Sequence, residues 1–139
     1  MKKKAKERRG LATAHKMMVN FYGEGLTTAE ADGLLVGLSR EDKRNARQAN
    51  LENNCLDETP PAIYHLAFLE ALWLSHNAIE RLGAAHRLVN LRLLDLSENR
   101  LQELPPAIGT MALIEELYLM NNRLIWLPRE MKRLEELRM

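Results

Sequence analysis

Apolar and polar positions recur in blocks along the second half of the chain. Leu94, Leu96, Asn99, Leu101 and Leu104 return, with their spacing kept, as Leu117, Leu119, Asn122, Leu124 and Leu127. The same ladder is present earlier as Leu51, Asn54 and Leu56, and again as Leu74, Asn77 and Ile79. The leading leucines, Leu51, Leu74, Leu96 and Leu119, stand 23, 22 and 23 residues apart. A fixed period that carries an asparagine inside a leucine ladder predicts turns that stack sideways as a solenoid. Within a turn, Leu94 and Leu96 alternate with Leu93 and Asp95, so a short parallel strand sends the first pair inward and the second to a concave face. The asparagine falls where the chain leaves the strand. Its amide both donates and accepts, so it can pair backbone groups of adjacent turns that would otherwise be buried unpaired. Pro105 and Pro106 lack N–H groups and predict a short helical or extended return, with Ile108 and Met111 pointing inward. The one-residue deficit follows Leu82, where LGAAH replaces an LPPAI-type segment, and is expected on the convex side. The first turn is degenerate, with Ala46 and Ala49 for leucines and Thr59 for the last one.

The first 45 residues read differently, as a basic segment followed by a helical cap, with the repeats occupying residues 46–139 as about four turns and an incomplete one. Apolar residues at Leu11, Met17, Met18, Val19, Phe21 and Tyr22 predict a partly buried helix broken by Gly23 and Gly25. Thr28 is expected to cap a second helix carrying Leu34, Leu35 and Leu38, and Ser39 a third running to about residue 47. Such a cap would keep the first turn's apolar side chains from water. At the other end Met131, Leu134 and Leu137 match Ile108, Met111 and Ile114. The strand edge near Tyr118 is then expected to be covered by Leu134 and Leu137 folding back, by a partner, or by further chain of a longer parent.

Residues 104–128, LPPAIGTMALIEELYLMNNRLIWLP, resemble the 23-residue class of leucine-rich repeats of the Ras-suppressor and Scribble type of intracellular scaffold. The resemblance covers about residues 46–139. It implies an α/β leucine-rich-repeat solenoid and a non-catalytic scaffold or adaptor whose partner is a protein. Small GTPases, phosphatases and cytoskeletal components are the partner kinds it implies.

Composition narrows the function further. With 46% hydrophobic and 28% charged residues and a net charge of +1, no single strong field dominates, so a charged partner must meet a local patch. One such patch is residues 2–9, where Lys2, Lys3, Lys4, Lys6, Arg8 and Arg9 face the single acid Glu7. This tract reads as a solvated tail, a nuclear-import signal or an arm contacting phosphate. The last reading makes a nucleic-acid or ribonucleoprotein-associated factor the alternative function, and a structural subunit of a large assembly is a third. The lone Cys55 excludes an internal disulfide. No run of about 18 apolar residues exists for a membrane span, and His15 and Lys16 interrupt any signal-peptide core. A cytoplasmic or nuclear protein is expected.

Register places Asn50, Trp73, Asp95 and Tyr118 in the central outward column of the concave face. Leu93 and Glu116 lie on one side; His76, Glu98 and Met120 lie on the other. Trp73 and Tyr118 project from strands with no core to enter, as interface anchors do. Arg100 and Arg123 are expected further along, opposite Asp95 and Glu98, as solvated ion pairs or as contacts to an acidic ligand. The four histidines lack metal-ligand spacing, and no Gly-rich phosphate loop is present. Asp95, Ser97 and His76 lack the oxyanion site and closed pocket of a hydrolase. No enzyme activity, cofactor, metal, membrane partner or small-molecule substrate is expected.

Overall fold

The computed structural model describes residues 16–138. Five short parallel strands, β1 (Met17–Asn20), β2 (Ala46–Asn50), β3 (Ala71–Trp73), β4 (Leu93–Asp95) and β5 (Glu116–Tyr118), form one sheet in chain order. Between β1 and β2 run two helices, α1 (Thr28–Val36) and α2 (Arg40–Asn45). The later returns are single 3-10 turns at Pro61–His65, Ala85–Arg87, Pro106–Thr110 and Arg129–Arg133. The strand register is the expected one: Gln48, Ala71, Leu93 and Glu116 align, as do Asn50, Trp73, Asp95 and Tyr118.

The core is a stack of similar layers. Leu51, Leu74 and Leu96 are fully buried in one row, and Leu56, Ile79 and Leu101 in the next. Ile63, Ala85, Ile108 and Leu66, Leu88, Met111 close the convex side. Each buried leucine contributes about 1.5–3 kcal/mol. Asparagines run through the stack as a hydrogen-bonded ladder. Asn99 Nδ2 donates to Leu74 O of the preceding turn at 2.9 Å and to Leu96 O of its own at 3.1 Å, while its Oδ1 accepts from Ile79 N at 2.9 Å. Asn54, Asn77 and Asn122 repeat this arrangement on their own turns.

The short turn after Leu82 lies on the convex side, where the return shrinks to Ala85–Arg87. Gly83 allows it, with φ +62° and an added Cβ only 2.8 Å from Tyr64 Oη. Tyr64 Oη fills the space and donates to Leu82 O at 2.7 Å, and burial pushes its phenol above the usual range.

The N-terminal segment departs from the sequence reading. The helix expected over residues 11–22 is the strand β1 from Met17, and residues 11–15 lie outside the described part. Met17, Val19 and Phe21 are buried while Met18, Asn20 and Tyr22 face outward, so the period is two and not 3.6. Phe21 N donates to Asn50 O, and Gly23 N to Glu52 O, as Leu51 N and Asn53 N do to Trp73 O and Ser75 O one turn later. Residues 17–26 are therefore a further turn of the stack, disguised by its helical return. The helix cap is Thr27 rather than Thr28: Thr27 Oγ1 accepts from Glu30 N, and Glu30 Oε2 accepts from Thr27 N. Thr28 Oγ1 instead donates to Asp57 at 2.6 Å, tying the cap to the first repeat. The third helix begins after Ser39 as expected but ends at Asn45, because Ala46 already belongs to β2.

At the other end Leu134 is buried and Leu137 half-buried against the core. Arg138 N donates to Glu115 O at 2.7 Å, the bond that Glu115 N makes to Arg92 O one turn earlier. The tail thus enters a sixth strand position beside β5.

Candidate functional site

Parallel strands bring all their carboxyl ends to one edge of the concave face, and there the turns leave the sheet in the same way. The residue before each ladder asparagine is left-handed: Asn53, His76, Glu98 and Asn121 have φ of 54° to 55°. Gly23 takes the same place in the first turn, with φ +64°. Asparagine and histidine tolerate this conformation; glutamate does so at a cost.

These exits surround a shallow depression of about 590 Å³. One column across it is Tyr22, Glu52, Ser75, Ser97 and Met120; the next contains His76 and Glu98; Asp95 and Tyr118 close the third side. Glu52 accepts from Ser75 Oγ at 2.6 Å and from Asn50 Nδ2 at 2.9 Å. Asp95 Oδ1 accepts from Ser97 N at 2.9 Å, which turns the chain out of β4. Glu98 accepts from Asn121 Nδ2. The carboxylates are thus held by neutral donors. Among the described residues none of the three is paired with a cation, and no lysine or arginine lines the depression.

The candidate residues divide on this geometry. Asp95, Tyr118, His76, Glu98 and Met120 meet in the depression. Trp73, Leu93 and Glu116 lie beside it on the concave face, Trp73 half-buried between Asn50 and Asp95. Tyr118 is 38% exposed and donates to Glu116 Oε2 at 2.5 Å. That bond, then the charge of Glu116, and last that of Asp95 hold its phenol above the usual range. Arg100 and Arg123 are exposed, pair with neither Asp95 nor Glu98 among the described residues, and do not line the depression. The tract of Lys2, Lys3, Lys4, Lys6, Arg8 and Arg9 lies outside the described residues. Tyr22 and Glu52 were missed by the sequence reading. Aligning Phe21 with Leu51 would have found Tyr22, and the step of 23 residues back from Ser75 would have found Glu52.

A second exposed apolar surface lies at the last turn, where Trp126 is 59% exposed beside Leu127 and Pro105. Among the described residues no group of three His, Cys, Asp or Glu side chains is placed to hold a metal ion. No described helix is long and apolar enough to cross a membrane.

The Leucine Rich Repeat family profile matches residues 90–111. A solved leucine-rich-repeat protein of Leptospira interrogans is similar in fold, with a TM-score of 0.54 and 20% identity over 89% of this chain. The chain spans 41% of that protein's length. No curated protein matches the chain significantly.

Proposed function

We propose that the chain is a leucine-rich-repeat protein that acts as a non-catalytic adaptor, binding a partner protein on the concave face of its solenoid. Repeats of this kind commonly mediate protein–protein interaction. The observation that carries the reading is the outward column of Trp73, Asp95 and Tyr118, aligned strand by strand on a face that no part of the described chain covers. Large amphipathic rings on a rigid sheet bind with little loss of conformational entropy. Catalysis has no support in the geometry. The depression is open and shallow, and His76 and Asp95 share no hydrogen bond with a nucleophile among the described residues. The resemblance to intracellular scaffolds favours a cytoplasmic or nuclear setting and, among partners, a small GTPase, a phosphatase or a cytoskeletal component.

Replacing Trp73 and Tyr118 together with alanine should weaken capture of the partner from source-cell extract at least tenfold, with circular dichroism unchanged. Undiminished capture by the folded variant would refute the reading. In the alternative, phosphate contacts by residues 2–9 would make binding fall steeply with salt and disappear on their deletion. The unpaired carboxylates at the strand ends favour the protein partner, because they would repel a phosphate backbone.

A further inference from the structure

We propose that the depression at the carboxyl ends of the strands receives a cationic side chain, arginine or lysine, from a basic segment of the partner protein. This rests on the concave-face reading above and names the chemistry of what is bound there.

Two independent features point to it. The first is charge. Glu52, Asp95 and Glu98 span three successive turns, converge on one depression that His76 also lines, and form no ion pair among the described residues. On the neighbouring turns Arg92 and Glu115 show such a pairing. A guanidinium or ammonium group would supply the missing counter-charge through charge-assisted hydrogen bonds, and Tyr22 and Tyr118 bring aromatic side chains to the same depression.

The second feature is an orphaned hydroxyl. Ser97 is 7% exposed, stands in the column that crosses the depression, and its Oγ has no hydrogen-bond partner among the described residues. One turn earlier, the hydroxyl of Ser75 is satisfied by Glu52. Ser97 is flanked in its own column by Ser75, whose proton is already committed, and by the thioether of Met120. A buried hydroxyl without a partner is costly. A donor that displaced the side chains covering it would give the Ser97 oxygen the partner it lacks.

The test uses the full chain, isotopically labelled, titrated with the blocked peptide Gly-Ser-Arg-Ser-Gly and with its twin carrying neutral citrulline for arginine. The arginine peptide should shift the amides of Ser75, Ser97 and Glu98 saturably and bind at least tenfold more tightly than the citrulline twin. Glu52→Gln with Glu98→Gln should remove that advantage while circular dichroism is unchanged. Should the pair fail to fold, Glu98→Gln alone should weaken the arginine peptide about threefold. Equal affinity for the two peptides, shifts confined to other surfaces, or a folded variant that binds undiminished would each overturn the proposal. Partner capture lost with Trp73→Ala and Tyr118→Ala but retained in full by the glutamine variant would leave the adaptor reading standing and remove this one.

Discussion

Asn99 shows how much a single side chain can hold in this fold. Its amide satisfies Leu74 O, Leu96 O, Ser97 O and Ile79 N in a region shielded from water. Asn99→Ala leaves several of these groups unpaired, at about 1–3 kcal/mol each, so chemical denaturation should show a loss of about 3 kcal/mol or more. Glu98, its neighbour, illustrates the opposite balance. A non-glycine residue in the left-handed region costs roughly 1–2 kcal/mol, and asparagine tolerates it better. Glu98→Asn should therefore stabilise the fold by roughly 0.5 kcal/mol while weakening the arginine peptide, a trade expected of a residue kept for binding. A stability loss above about 1 kcal/mol would contradict this. Gly83 is held by shape. Gly83→Ala should destabilise by about 1–3 kcal/mol, and Tyr64→Phe in the same chain should return part of that loss, because the phenol oxygen is what the new methyl meets. Additive losses in the double variant would place the strain elsewhere.

Elements differed in how plainly the sequence announced them. Strands β2 to β5, their register and the asparagine ladder were legible, because a 22- or 23-residue period aligns every column without reference to three dimensions. That is why Asp95, Tyr118, His76, Glu98 and Met120 could be assigned to one face. Strand β1 was not legible. Its apolar residues Met17, Met18, Val19, Phe21 and Tyr22 are consecutive enough to fit a helix, and Asn20 stands where an alternating pattern shows only in hindsight. Phe21 also lies 30 residues before Leu51, since α1 and α2 replace a one-turn return, so no common period reveals the pairing. Tyr22 was lost with it, whereas Glu52 stood in a column that the period from Leu51 to Leu74 already set. The helix cap was placed one residue late because adjacent threonines offer the same hydroxyl, and only the reciprocal bond with Glu30 selects Thr27. Thr27→Ala should cost about 1 kcal/mol, read as a lower denaturation midpoint. Asp32 extends the cap's hold by accepting from Ala62 N in the first return at 2.7 Å.

Across the whole molecule, each turn touches only its neighbours, so stability is shared along the stack and weakest where a neighbour is missing. Leu96 is fully buried midway, and Leu96→Asp should abolish the cooperative melt; an unchanged transition would refute the packing. Hydrogen exchange should be slowest at Leu74 N and Leu96 N, which donate to Asp95 O and Tyr118 O in the following turn. Exchange should be fastest around Leu119, where no such turn follows among the described residues. The uniform direction of the strands has one more consequence. Because every turn delivers the same columns to the same edge, the concave edge is graduated like a ruler, at roughly 4.8 Å a mark. Duplicating one 23-residue unit between Ser75 and Ser97 would move Glu52 and Glu98 one mark further apart without altering either side chain's surroundings on its own turn. A partner's recognition of length could then be adjusted separately from its recognition of charge.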